Sequence, residues 1–236
     1  MKTILSFGGG VNSTAILALC SLKELPWPDL IIFSDTGAEW PHTYKYIDYL
    51  EKKGIQITRL TGGDKYMDLI EFCQLKKIIP SRVNRWCTDH FKRIPINYFV
   101  RSLNGDSEHW IGFDFGETKR MEGRRKKGFR FPLFELRIDR IGCEKIIRKA
   151  GWGVPKKSGC FICPFQRKSQ WIELKKNHPD LWKIAVDLER EQVKYHSKHM
   201  TYIKNMMIEK FVSDLDAQIE LPFDFSLDQK CECYFD

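Results

Sequence analysis

Three consecutive glycines constrain this chain more than any other feature. In Ser6-Phe7-Gly8-Gly9-Gly10-Val11-Asn12-Ser13-Thr14 they lie between a strand signal at Ile4-Leu5 and a helix signal at Ala15-Ile16-Leu17-Ala18-Leu19. Glycine reaches φ values that a Cβ forbids, so the backbone can turn sharply and face its amides toward an anion. The helix is expected to open at Asn12 or Ser13, where unpaired N–H groups and the positive end of the helix dipole favour a phosphate. A glycine turn is also an ordinary way to leave a strand. The hydroxyls of Ser6, Ser13 and Thr14 add donors and point to a nucleotide site.

Strand and helix signals alternate after that turn. Residues 3–6 read as a strand, 13–22 as a helix and 30–34 as the next strand, with Pro26-Trp27-Pro28 breaking the chain between them. Pro41 is placed to start a helix that stops at Gly54, and residues 55–60 read as a third strand. Asp64 is expected to cap a helix over 66–75, Pro95 to begin another toward Leu103, and 109–113 to form a fourth strand. The fold class predicted is α/β: a doubly wound, mostly parallel sheet with helices on both faces and ligands at the carboxyl ends of the strands. Asp35, Thr36, Asp114 and Glu117 fall at those ends. Each carboxylate alone is as well explained by capping or a solvated turn.

The second half differs. A helix over 139–150, capped by Asp139 and ended by Gly151, leads through a stiff loop to Cys160-Phe161-Ile162-Cys163-Pro164-Phe165. Helices are expected over 169–177 and 179–198, then a less regular tail to Cys231-Glu232-Cys233. This suggests a nucleotide-binding domain over 1–130 and a smaller, cysteine-containing helical lobe over 131–236 packed on it. The 236 residues suffice for one sizeable core with such an appendage.

No apolar run is long enough to span a bilayer and Met1-Lys2 leads straight into a strand, so no membrane association and a cytoplasmic location are expected. Lys and Arg exceed Asp and Glu by 39 to 31. The excess is densest at Lys119-Arg120 and through Arg124-Arg125-Lys126-Lys127-Gly128-Phe129-Arg130. Such a cluster attracts nucleic acid or a multiply charged nucleotide, and it equally describes a solvated loop.

Eight cysteines in a leaderless chain of this size point to metal or redox roles rather than disulfides. Cys160 and Cys163 form a C-x-x-C pair that can aim two thiolates at one ion, with Cys143 and Cys87 as the remaining candidates. Four thiolates suit tetrahedral Zn2+ or a 4Fe–4S cluster, and the single C-x-x-C knuckle leans toward iron–sulfur. The same spacing permits a dithiol redox pair. Cys143 also fits a buried small apolar residue, as do Cys20 and Cys73. Cys231 or Cys233 can act as a nucleophile swung in from the tail, or do nothing at a frayed end.

These segments carry a resemblance. The glycine turn, together with Phe33-Ser34-Asp35-Thr36-Gly37-Ala38-Glu39-Trp40-Pro41, resembles the pyrophosphate loop and second-strand motif of the phosphoadenosine-phosphosulfate (PAPS) reductase family. That family belongs to the adenine-nucleotide α-hydrolase superfamily. Arg85-Trp86-Cys87-Thr88, with Lys92 and Pro95, resembles another of its motifs. Cys143 with the run from Pro155 to Phe165 is similar to the cysteine lobe of a four-cysteine subgroup that resembles the DNA-phosphorothioation pyrophosphatase.

The resemblance implies a site for ATP or an adenylyl sulfate. Ser6, Gly8, Gly9, Gly10 and Ser13 would hold phosphates, while Asn12, Asp35 and Thr36 would orient Mg2+ or the nucleotide. Lys92, Arg120 and the basic cluster would neutralise a leaving group or a nucleic-acid backbone. It further implies a 4Fe–4S cluster on Cys87, Cys143, Cys160 and Cys163. Two positions depart from the loop pattern: Gly8 replaces a serine, and Asn12 replaces an aspartate, which brings no charge to Mg2+. Glu232-Cys233 matches only the first half of the reductases' tail motif. Three activities are consistent with these residues. One is adenylation of an acceptor by ATP for sulfur transfer, on DNA, tRNA or a small metabolite, with a possible sulfur-donor protein. The second is thiol-dependent reduction of an adenylyl sulfate. The third is nucleic-acid binding with a regulatory nucleotide pocket and a structural metal.

Overall fold

The structure, a computed structural model, describes residues 1–61, 67–103, 105–123, 128–196 and 200–219, the side chains of 216–219 excepted. In chain order the principal elements are β1 (Lys2–Ser6), α1 (Val11–Ser21), β2 (Leu30–Asp35), α2 (Pro41–Lys52), β3 (Thr58–Thr61) and α3 (Leu69–Lys76). A π-helical turn (Asp89–Arg93) then runs into α4 (Ile94–Ser102), followed by β4 (Ser107–Ile111), β5 (Phe129–Arg130) and α5 (Arg140–Lys149). Finally come α6 (Lys168–Asn177), α7 (Pro179–Tyr195) and α8 (Ile208–Ile219). The chain divides into two compact units, Met1–Leu69 with Cys87–Cys160, and Ile70–Trp86 with Phe161–Asp236.

The first unit holds a parallel sheet in the order β3-β2-β1-β4-β5. The chain leaves β1 toward β2 and β3, then returns to place β4 on the other side of β1. That reversal is the topological switch point at which open α/β sheets bind ligands. The core is built from Leu5, Phe33 and Trp110 of the sheet, Ala15–Leu19 of α1, Ile47 and Leu50 of α2, and Cys143 and Ile147 of α5. Helix α1 is apolar on nearly every face because both the sheet and α5 cover it. Asp139 caps α5 by accepting from Gly142 N–H at 2.7 Å, and Gly151 follows it at φ +72°, as the sequence indicates.

Several boundaries depart from the sequence reading. Helix α1 opens at Val11, capped by Gly10 with no side-chain cap, and β3 begins at Thr58 rather than residue 55. The two-residue β5 and the π turn carry no local signal. The Asp64 cap, the basic run 124–127 and the tail cysteines lie outside the described residues.

In the second unit, α6, α7 and α8 bury Trp171, Leu174, Ala185, Leu188, Ile208 and Val212, with the Trp171 and Tyr202 rings 5.3 Å apart. Glu189 of α7 is fully buried. Its carboxylate accepts from Tyr202 N–H at 2.9 Å and from Ile208 N–H at 2.7 Å, so it caps α8 from 19 residues upstream. Burial raises its pKa from an ordinary 4.5 to about 7, against the opposing pull of those two amides. The native state therefore binds a proton that the unfolded chain has released between those values. Stability is expected to fall by roughly 3 kcal/mol as pH rises from 4.5 to 7, and to level off above. Urea unfolding across that range should show this slope in the natural protein and its loss in Glu189→Gln.

Candidate functional site

The glycine turn sits at the end of β1, beside the ends of β2 and β4. Gly9 takes φ +67°, the left-handed conformation that makes the turn possible. A Cβ on Gly8 would meet nothing within 4 Å, so this amide borders open space, and its N–H reaches Ser13 Oγ at 3.3 Å. Gly112, just after β4, packs so closely on α1 that an added Cβ would come within 2.9 Å of Ser13 N. A Cβ on Gly10 would come within 2.7 Å of Ser158 Oγ. The segment leading to Cys160 therefore lies against the glycine turn. Thr14, read from the sequence as a further phosphate donor, is fully buried, and its hydroxyl has no hydrogen-bond partner among the described residues. Ser6 ends β1 in register with Ile32 and Ile111.

Asn12 is the hub of a polar group on the β4 side. Its amide donates to Asp114 Oδ2 at 3.0 Å and Glu117 Oε2 at 2.9 Å, and its oxygen accepts from Arg140 at 3.2 Å. Asp114 and Glu117 also form a capping box, and Arg120 pairs with Glu117 while lying 4.8 Å from the Phe113 ring centroid. An asparagine here separates two carboxylates that an aspartate would crowd. Asn12→Asp removes both donors and adds a third negative charge, so it is expected to cost about 3 kcal/mol. The same change creates a three-carboxylate cation site, so millimolar Mg2+ should restore much of the lost stability. Thermal unfolding with and without Mg2+ reads both effects.

On the β2 side, Asp35 Oδ1 accepts from Gly37 N–H at 2.9 Å and Tyr44 OH at 2.7 Å, which fixes the turn after the strand. Burial, then the Asp35 carboxylate, hold the Tyr44 hydroxyl firmly protonated. The next residue, Thr36, is buried and its hydroxyl lies 3.2 Å from Cys160 Sγ. Cys160 is held there by a β-bridge to Glu39 and by Trp40 N–H donating to Gly159 O at 2.9 Å. Its thiol also lies 3.7 Å from Glu39 Oε1.

Glu39 was no candidate in the sequence, and the fold makes it central to this side. Its side chain is 0% exposed, Oε1 accepts from Lys92 Nζ at 2.7 Å, and Oε2 is buried with no hydrogen-bond partner among the described residues. Lys92 reaches it from the π turn, which Ser34 Oγ ties to β2 by donating to Phe91 O at 2.7 Å. Single π turns within helices recur at functional sites because they re-aim one side chain. Lys92 was a candidate from its motif, whereas its pairing with Glu39 spans 53 residues and leaves no short-range sequence signal.

The four candidate cysteines differ in their surroundings. Cys143 is fully buried in the core beside Ile147, and burial pushes its thiol up to about 12. Cys160 is engaged with Thr36 and Glu39 as above. Cys87 belongs to the first unit and Cys163 to the second. Among the described residues no three His, Cys, Asp or Glu side chains stand together as a metal-holding group.

Comparison with known proteins follows the same segments. Residues 2–102 match the phosphoadenosine phosphosulfate reductase domain family. This stretch is similar to that reductase domain over somewhat less than half of the chain. The fold also aligns with the crystal structure of a phosphoadenylyl-sulfate reductase from Candida auris in a phosphate complex. The TM-score is 0.51 at 14% identity, over 68% of this chain and 81% of that one. Among curated proteins, an uncharacterized protein of Methanocaldococcus jannaschii is 26% identical over 217 residues, 85% of this chain and 44% of its own length. An uncharacterized nin region protein of Escherichia phage lambda is 27% identical over 167 residues, 58% of this chain and 55% of its own. The chain thus spans about half the length of the curated relatives it matches. Among the described residues, no helix is long and apolar enough to cross a membrane.

Proposed function

We propose that this protein is a thiol-dependent reductase of an adenylyl sulfate, with Cys160 as the attacking thiol. The observation that carries the reading is the position of Cys160. Its sulfur lies 3.2 Å from Thr36 Oγ1 and 3.7 Å from Glu39 Oε1, on a segment that packs against the glycine turn of a PAPS-reductase-like domain. The amides of Gly9 and Gly10 and of the first turn of α1 would bind the nucleotide phosphates, together with Ser6 and Ser13. Asp35 keeps the β2 turn in shape, and Lys92 supplies positive charge next to the reacting sulfate.

In this scheme the Cys160 proton passes to Glu39 and the thiolate attacks the sulfate sulfur. An S–S bond forms, the S–O bond to the nucleotide breaks, and the nucleoside phosphate leaves with the bonding electrons. A dithiol donor then attacks Cys160 Sγ, releasing sulfite. Its second thiol displaces Cys160 and closes a disulfide, so two electrons move from dithiol to sulfur. No step runs through a metal cluster.

A second reading rests on Asn12, Asp114 and Glu117. Mg2+ takes one or two carboxylates together with substrate phosphates, and Asp114 and Glu117 offer such a pair. There the protein would adenylate an acceptor with ATP and release pyrophosphate before sulfur transfer from a donor protein. Purified protein supplied with adenylyl sulfate, ATP and dithiol separates the two. Sulfite without pyrophosphate supports the reductase; pyrophosphate without sulfite overturns it in favour of the second reading.

A further inference from the structure

The second unit carries a charged surface that the proposed chemistry does not use. Arg82 and Arg85 both lie over one ring, with guanidinium carbons 5.8 Å and 5.6 Å from the Phe165 centroid. Arg82 Nε is fixed by donating to Pro164 O at 2.9 Å. A π face attracts cations, but it does not neutralise them, and two guanidiniums sharing a ring repel one another. Arg167 and Lys168 follow Phe165 at the start of α6, and all four cations are exposed. Residues 81–85 and 164–169 contain no acidic side chain. Among the described residues the ion pairs of this unit engage Lys77, Lys183 and Arg190 instead.

We infer that this surface, centred on Phe165, binds the phosphodiester backbone of a single-stranded nucleic acid. A lone phosphate would need only the Arg82–Arg85 fork, whereas four cations without an ion pair among the described residues, on two adjoining segments, match a repeating anion. Val83, 99% exposed between the two arginines, offers an apolar contact for a sugar or base. The inference stands on different residues from the nucleotide site and holds whichever reaction occurs there.

Fluorescence anisotropy with a labelled single-stranded oligonucleotide, titrated in KCl, tests it. The natural protein should bind, with log affinity falling linearly in log salt. Arg82→Ala with Arg85→Ala should weaken binding about tenfold at low salt and reduce the slope by about 1.4, the share of two backbone contacts on a single strand. Arg190→Ala, which breaks the pair with Glu209, should change neither, and circular dichroism melts should show all variants folded. Unchanged affinity and slope in the double variant overturns the inference. So does binding of inorganic phosphate at this pair without affinity for the oligonucleotide.

Discussion

Cys160→Ser is expected to reduce sulfite formation from an adenylyl sulfate by about three orders of magnitude or more, because no neighbouring hydroxyl replaces a thiolate as nucleophile toward sulfur. The substitution removes one atom's polarizability and keeps the volume. The serine hydroxyl can keep the contact with Thr36, now made by Cys160 at 3.2 Å, and the bridge to Glu39 is made by backbone. Nucleotide affinity, measured by calorimetry, should therefore stay within a few-fold of the natural protein. That separation of binding from turnover distinguishes a nucleophile from a residue that merely shapes the pocket. Thr36→Val makes a useful companion: it removes the hydroxyl beside the thiol and should lower the rate less steeply.

Lys92→Met is expected to destabilise the fold strongly. It strands the Glu39 carboxylate, whose side chain is wholly buried and whose Oε2 has no partner among the described residues. Breaking a buried ion pair by removing one member costs about 3–5 kcal/mol. Because Lys92 is 35% exposed, the lower figure applies here, roughly 3 kcal/mol. In a chain of this length that corresponds to a drop in Tm of about 6–12 °C. Adding Glu39→Gln to Lys92→Met removes the stranded charge and should recover most of the loss. A double variant as unstable as Lys92→Met alone would show that Lys92 acts through packing and not through Glu39.

What the sequence makes legible here is local. The glycine turn, the helix that follows it, Pro41 at the head of α2 and the Asp139 cap all rest on contacts within a few residues, and each signal can be read where it stands. Asp114 and Glu117 were legible as strand-end carboxylates, but their tie to Asn12 spans more than a hundred residues. Glu39 was hidden because its partners are Lys92, on a π turn, and Cys160, at the far end of the unit. Helix α8 went unread although Ile208, Phe211, Val212 and Leu215 keep a helical period. The local capping residue that normally announces a helix is absent, and Glu189 supplies it from α7. Cys143 shows the converse. Its spacing to Ile147 puts both on the face of α5 that the core covers, a burial that is legible locally.

The central claim is that Cys160 attacks the sulfur of an adenylyl sulfate held at the glycine turn. Trapping the covalent step tests it most directly: the protein is incubated with adenylyl sulfate in the absence of any dithiol, digested, and its peptides are analysed by mass spectrometry. A sulfonate adduct on the peptide containing Cys160, discharged as sulfite when dithiol is added, is the result expected. An adduct confined to Cys231 or Cys233, or sulfite released with Cys160 never modified, would contradict the assignment.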